Sequence, residues 1–334
     1  MTDWYFLLAP IAVLAVLLLF RFVGCGFDPG GGENYLGTVK GDGPVAFFLL
    51  RETAGATVAK NEIGTPDGII DPAPPPIDAG DPNWHSTGVA QPGLDLGVTD
   101  PLLIETDNSA ANCAIRFRGG SVQVSASVPP LNNLTEFTVE VLVHSEWDLI
   151  SGLGNYYCVL ESADFVPVGA QPPPQQKNAG FGIYAGPDNP GDPASQYFWQ
   201  VWLGVGEDGF ERFMPQPYVD VPGNPVSNPG PNVTAEPTYL AFTFSQSQGH
   251  AFLYVYTPNR DIDYTTYALN PLPYQQAANA LSIGVTPQGP LFPPFLGATP
   301  LYPFEGLIGN LAIYDKVLDE STLRDHVMYA FYNI

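Results

Sequence analysis

Between residues 45 and 318 the chain repeats short apolar runs broken by turn residues, and no long stretch keeps a 3.6-residue period. Residues 137–144 give the clearest pattern: Phe137, Val139, Val141 and Val143 fall on one face, and Thr138, Glu140, Leu142 and His144 on the other. That alternation predicts a strand. Similar runs predict strands at 157–161, 181–185, 196–205, 239–245, 251–256, 281–285 and 306–314. The runs 113–117 and 122–126 flank Gly119-Gly120 and are expected to pair as a hairpin. Long proline-rich segments separate these runs, at 71–82, 167–176, 187–193, 215–237 and 287–303. Many short strands with such loops read as a sandwich or barrel around one core. Helical spacing appears only near the C-terminus, where 320–332 puts Leu323, Val327 and Ala330 on one side and Asp319 at the N-cap.

The N-terminus is different in kind. From Trp4 to Phe20 there is no charge, and Arg21-Phe22-Val23 extends the run to residue 23. Twenty helical residues span roughly 30 Å, the thickness of a hydrocarbon core. Trp4 and Tyr5 sit where an aromatic belt lies, Pro10 lies in the first two turns, and Arg21 reaches the interface. A cleaved secretory signal would begin with positive charge, which Met1-Thr2-Asp3 lacks. Phe22-Val23-Gly24-Cys25 resembles a lipoprotein cleavage pattern with Cys25 as the acylated residue. An uncleaved anchor is the preferred reading. Residues 26–45 then form a glycine-rich linker with turns at Asp28-Pro29 and Asp42-Gly43.

Composition narrows the partners. Eleven Lys and Arg face 34 Asp and Glu, for a formal charge of −23. Nucleic acid is excluded, because phosphate recognition needs clustered cations. Charged residues make up only 13% and hydrophobic residues 45%, which suits a large core. Thirty-five glycines and 36 prolines fit a loop-rich all-β protein. Cys113 and Cys158 form an even pair once Cys25 is assigned to the interface, consistent with a disulfide or with two buried thiols. Asn133-Leu134-Thr135 and Asn232-Val233-Thr234 are glycosylation sequons. Together these place the head outside the cytoplasm, against the single-charge hint of Arg21.

No catalytic signature emerges. Glu207-Asp208-Gly209-Phe210-Glu211 lacks the alternation that would put three carboxylates on one face, and it reads as a solvated turn. His85, His144, His250 and His326 are far apart in the sequence, without metal-pair spacing. Asp188 and Asp192, or Asp67 and Asp71, could supply oxygens to calcium. Sugar stacking would fall to exposed aromatics, with Trp84 and Trp147 the first candidates. Trp199 and Trp202 cannot share a strand face, so one of them belongs to the core.

Three stretches carry a resemblance: residues 47–55, where Phe47-Phe48-Leu49-Leu50 leads into Arg51-Glu52-Thr53-Ala54-Gly55; Ile115-Arg116-Phe117-Arg118-Gly119-Gly120 with Glu136-Phe137-Thr138-Val139-Glu140; and Phe304-Glu305-Gly306-Leu307-Ile308-Gly309-Asn310-Leu311-Ala312-Ile313-Tyr314. In order and spacing they resemble the laminin-G-like, concanavalin A-like jelly-roll family. The resemblance implies two curved antiparallel sheets packed face to face, with the first and last strands as neighbours. It also implies binding of glycans or proteins, sometimes with calcium at the sandwich rim. Arg118, Gly309-Asn310 and Ser245-Gln246 stand where relatives often carry acids, which lowers the expectation of calcium.

The chain is thus expected to comprise a transmembrane anchor (1–25), a linker (26–45) and an all-β jelly-roll head (46–334) closed by a short helix. Its expected role is non-catalytic: a docking or scaffold subunit gripping protein subunits of a membrane assembly, held in the bilayer by residues 4–23. The alternative is a lectin-like carbohydrate-binding protein. No cofactor is expected beyond calcium.

Overall fold

The computed structural model describes residues 35–52, 56–71, 94–98, 114–118, 120–124, 134–145, 156–164, 179–187, 197–204, 210–213, 233–234, 236–258, 260–268, 274–276, 280–285 and 304–332. In chain order these give α1 (Tyr35–Gly41), β1 (Ala46–Phe48), β2 (Val58–Ala59), β3 (Gly68–Asp71), β4 (Leu94–Val98), β5 (Ala114–Arg118), β6 (Ser121–Val124), β7 (Glu136–Ser145) and β8 (Tyr157–Asp164). There follow β9 (Ala179–Pro187), β10 (Tyr197–Gly204), β11 (Phe210–Phe213), β12 (Thr238–Ser245), β13 (His250–Thr257), β14 (Arg260–Ala268), β15 (Leu281–Ile283), β16 (Glu305–Tyr314) and α2 (Glu320–Tyr332).

The strands form two antiparallel sheets of eight. The first runs β14-β13-β12-β7-β16-β5-β4, with β1 also paired to β16. The second runs β11-β10-β9-β8-β15-β6-β3-β2. The first and last strands are neighbours, as the motifs imply: Phe47 lies opposite Ala312. Between the sheets lies the main core, where Phe137, Val139, Val141 and Val143 of β7 meet Ile183, Trp199, Val201 and Leu203 of the facing sheet. Alternation puts about every second residue into this layer, with bulges in β8 and β16 where the register shifts.

The expected hairpin at Gly119-Gly120 is not formed. β5 pairs with β16 and β4 in the first sheet, and β6 pairs with β3 and β15 in the second. Ile115 and Phe117 therefore meet Val122 and Val124 across the core instead of lying beside them. Burying both apolar sets against each other from opposite sheets outweighs the local turn.

Two helices cover the outside of the first sheet. α2 buries Leu323, Val327 and Ala330, the stripe read from the sequence. Its start is capped as expected: Asp319 Oδ1 accepts the Thr322 amide at 2.8 Å and the Ser321 hydroxyl at 2.6 Å. Those hydrogen bonds hold the Asp319 carboxyl below its usual range. Asp319→Ala should therefore cost about 1 kcal/mol in denaturant unfolding. α1 falls inside the stretch expected as linker, where Tyr35 and Val39 are both buried. No helix of the described residues is long and apolar enough to cross a membrane, and the anchor expected at residues 4–23 lies outside them.

Candidate functional site

Thr138 and Glu140 of β7 turn away from the main core, yet they are buried too. Glu140 is fully buried beneath α1 and α2. Its carboxylate accepts the hydroxyls of Tyr239 on β12 and Tyr314 on β16, the latter at 2.8 Å. It also meets His326 Nδ1 on α2 at 2.8 Å. The other ring nitrogen, Nε2, lies 2.9 Å from Asp42 Oδ2, just past α1. Tyr35 packs edge-on to the imidazole and Tyr314 stacks near it. Burial opposes a charge on the ring, but the Glu140 and Asp42 carboxylates outweigh it, and the His326 pKa is raised. Burial, and then the Glu140 charge, push the Tyr35, Tyr239 and Tyr314 hydroxyls up. The cluster is a clasp joining sheet and helices.

The second sheet carries no helix on its outer face among the described residues, and its chemistry is different. One row of register partners crosses all eight strands: Val58, Ile69, Gln123, Ser282, Glu161, Gly182, Trp202 and Arg212. It grades from apolar through polar to aromatic. Val58 and Ile69 are 46% and 65% exposed at the β2 edge, whereas Glu161 and Trp202 are buried. Gln123 donates to the Ser282 hydroxyl at 2.7 Å.

Glycines shape the aromatic end. A Cβ on Gly182 would lie 2.6 Å from the Tyr184 ring, and one on Gly186 would lie 2.3 Å from the Tyr156 ring. Only hydrogen at these positions lets the rings lie down along the strand. Tyr184 thereby reaches across to Glu161 and donates its hydroxyl to that carboxylate. Trp202 meets Tyr156 and Tyr184 edge-on, with centroids 5.7 and 6.3 Å away. Gln200 lies in the next row, in register with Tyr184. Its amide nitrogen donates to the carbonyls of Gly186 at 2.9 Å and Pro187 at 3.2 Å. Two carbonyl partners fix which end is nitrogen. The amide oxygen Oε1 is buried and has no hydrogen-bond partner. The face thus gathers flat rings, a carboxylate, a hydroxyl and an unsatisfied acceptor, all of them buried. Such a set can stack on a sugar ring and hydrogen-bond its hydroxyls.

Several residues singled out in the sequence, Trp84, Trp147, Asp188, Asp192, Cys113, Trp4, Tyr5, Pro10 and Arg21, lie outside the described residues. Cys158 is buried on β8 beside Tyr156, Tyr184 and Trp202. Trp199 and Trp202 do fall on opposite faces of β10, Trp199 between the sheets and Trp202 outside them, and both are buried. Asp67 accepts the Asn61 amide at 2.9 Å as a turn residue, and Asp71 ends β3. Among the described residues no three His, Cys, Asp or Glu are grouped to hold a metal. The meeting of His326 with Glu140 and Asp42 bridges 186 and 284 residues of sequence, which no local motif could signal. The Gly182-Ile183-Tyr184-Ala185-Gly186 alternation was the readable sign of the aromatic floor.

No family model matches the chain, and no curated protein matches it. Among solved structures, it is similar to domain 4 of an extracellular arabinanase from Geobacillus stearothermophilus in complex with arabinotriose: 16% identity, 65% of this chain, 78% of that one, TM-score 0.36. It is also similar to the binding domain of botulinum neurotoxin DC in complex with rat synaptotagmin II: 10% identity, 86% of this chain, TM-score 0.47. The chain spans about half, 51%, of that structure. A third is the Ruminococcus gnavus IT-sialidase CBM40 bound to α2,6-sialyllactose: 14% identity, 58% of this chain, 83% of that one, TM-score 0.35.

Proposed function

We propose that the protein is a non-catalytic, lectin-like carbohydrate-binding protein whose site is the outer face of the second sheet. Residues 4–23 anchor it to a membrane, with the laminin-G-like head on the extracytoplasmic side. The observation that carries this reading is the buried Gln200 amide oxygen, left without a donor beside Tyr184, Trp202 and Glu161. An unsatisfied buried acceptor costs about 1–3 kcal/mol, and a sugar hydroxyl is the complementary donor. The hydrogen-bonding side chains described on this face are one carboxylate, two amides and two hydroxyls, from Glu161, Gln123, Gln200, Ser282 and Tyr184. Glu161, the charged group among the described side chains of this face, favours an uncharged polyhydroxyl ligand over an acidic glycan. Trp202, Tyr184 and Gln200 are all buried, so binding on this face requires that they become accessible, and association should be slow.

The test is a panel of neutral and acidic oligosaccharides against the full-length chain. Saturable binding of a neutral glycan is expected. Gln200→Leu should weaken it about tenfold, the worth of one well-placed hydrogen bond. A panel with no ligand removes this reading.

A second reading is a membrane-held docking subunit. It is supported by Val58, Ile63 and Ile69, which are exposed around the β2–β3 edge of the second sheet. Co-purification of other membrane polypeptides with the detergent-solubilised chain would favour it.

A further inference from the structure

We propose that His326 is a proton-operated latch: the doubly protonated ring ties Asp42, at the end of α1, to Glu140 on β7, and loss of one proton loosens that end of α1. Both ring nitrogens face carboxylate oxygens, Nδ1 at 2.8 Å and Nε2 at 2.9 Å. A carboxylate only accepts, so each contact needs a hydrogen on the ring. A neutral imidazole has one and must present its other lone pair to an anion. The geometry therefore calls for the imidazolium.

The groups that face the ring are carboxylates and tyrosines. Glu140 comes from β7, Tyr239 from β12, Tyr314 from β16, and Tyr35 and Asp42 from α1 and its exit. Tyr256 of β13 belongs to the same buried cluster. Arg51, after β1, acts on Tyr35 and also donates to Asn310 at 3.4 Å. On α2 itself, Arg324 is spoken for by Glu320 at 2.6 Å, and Asp325 is exposed. The ring is thus the cation between the Glu140 and Asp42 carboxylates.

Its titration has a definite sign. The folded-state pKa lies above the unfolded value near 6.5, so the stabilisation is complete below about pH 6.5. It is lost as pH rises through the folded value. When the proton leaves, the two ends of the clasp are not equivalent. Glu140 keeps its two tyrosine hydroxyls and cannot hydrate. The Asp42 side chain is 34% exposed and can turn to water. The α1 end therefore gives way first.

The experiment is hydrogen exchange on the full-length chain from pH 5.5 to 9, corrected for intrinsic rates. Protection of the amides at 39–43 should fall at least tenfold on raising pH, while β7 and β12 amides hold. His326→Gln and Asp42→Asn should each flatten that dependence. Asp42 is partly exposed, so Asp42→Asn reports even if His326→Gln does not fold. A flat profile in the natural chain, an unchanged profile in Asp42→Asn, or a neutral His326 ring at pH 6 in nitrogen NMR would each overturn the latch.

Discussion

Replacing Glu140 by alanine should remove about 3–5 kcal/mol of folding stability at pH 6, the cost of leaving a buried charge without its partner. The substitution strips the acceptor from Tyr239 and Tyr314 and the counter-ion from His326 in one step. Those three groups sit on β12, β16 and α2, so the damage reaches three elements at once. Glu140→Gln separates the effects. Its amide oxygen can stand in for Oε2, which Tyr239 and the ring share, while its nitrogen then faces the Tyr314 hydroxyl that Oε1 accepted, so the change removes the negative charge above all. That variant should keep more stability above pH 8 than at pH 6 relative to the natural chain, because only the charged ring misses the carboxylate. Denaturant unfolding of both variants at the two pH values checks this. A loss under about 1 kcal/mol for Glu140→Ala would mean that the clasp does not hold the helices.

Replacing Trp202 by alanine should cost about 3–5 kcal/mol and abolish oligosaccharide binding. The indole packs against Tyr156 and Tyr184, which also touches Glu161, so its removal leaves a cavity under the proposed ligand. Trp199→Ala on the same strand supplies the control. Trp199 lies between the sheets, 1% exposed, and its loss should destabilise by a similar amount while leaving the affinity of the folded fraction unchanged. Equal losses of affinity in both would place binding elsewhere. Gly182→Ala is a milder probe of the same floor. Its new methyl forces the Tyr184 ring off Glu161 and should lower affinity with less loss of stability.

Much of the fold was legible because alternation is a local property. β7, β12, β13, β16 and α2 follow from it, and even the inward set Phe137, Val139, Val141 and Val143 is right. What alternation could not tell is that the other face of β7 is also closed in. That depends on α1, whose seven residues include two glycines and whose helix exists because Tyr35 and Val39 find a sheet to pack on. The crossover after β5 was likewise hidden: a Gly-Gly between two apolar runs serves a hairpin and a corner equally well. The site residues divide the same way. Gly182, Tyr184 and Gly186 lie within one strand, a local signal that the strand expected at 181–185 did not turn into a site. The clasp of Glu140, His326 and Asp42 is assembled by topology alone.

The account stands most directly on the place where a sugar touches the protein, and the two tryptophans of β10 report it. Indole N–H resonances of Trp199 and Trp202, followed by NMR while a neutral oligosaccharide is added to the full-length chain, distinguish the two faces of one strand. The Trp202 signal should shift saturably and the Trp199 signal should stay in place. A shift at Trp199 alone, or none at either while the glycan is bound, would contradict a site on the outer face of the second sheet.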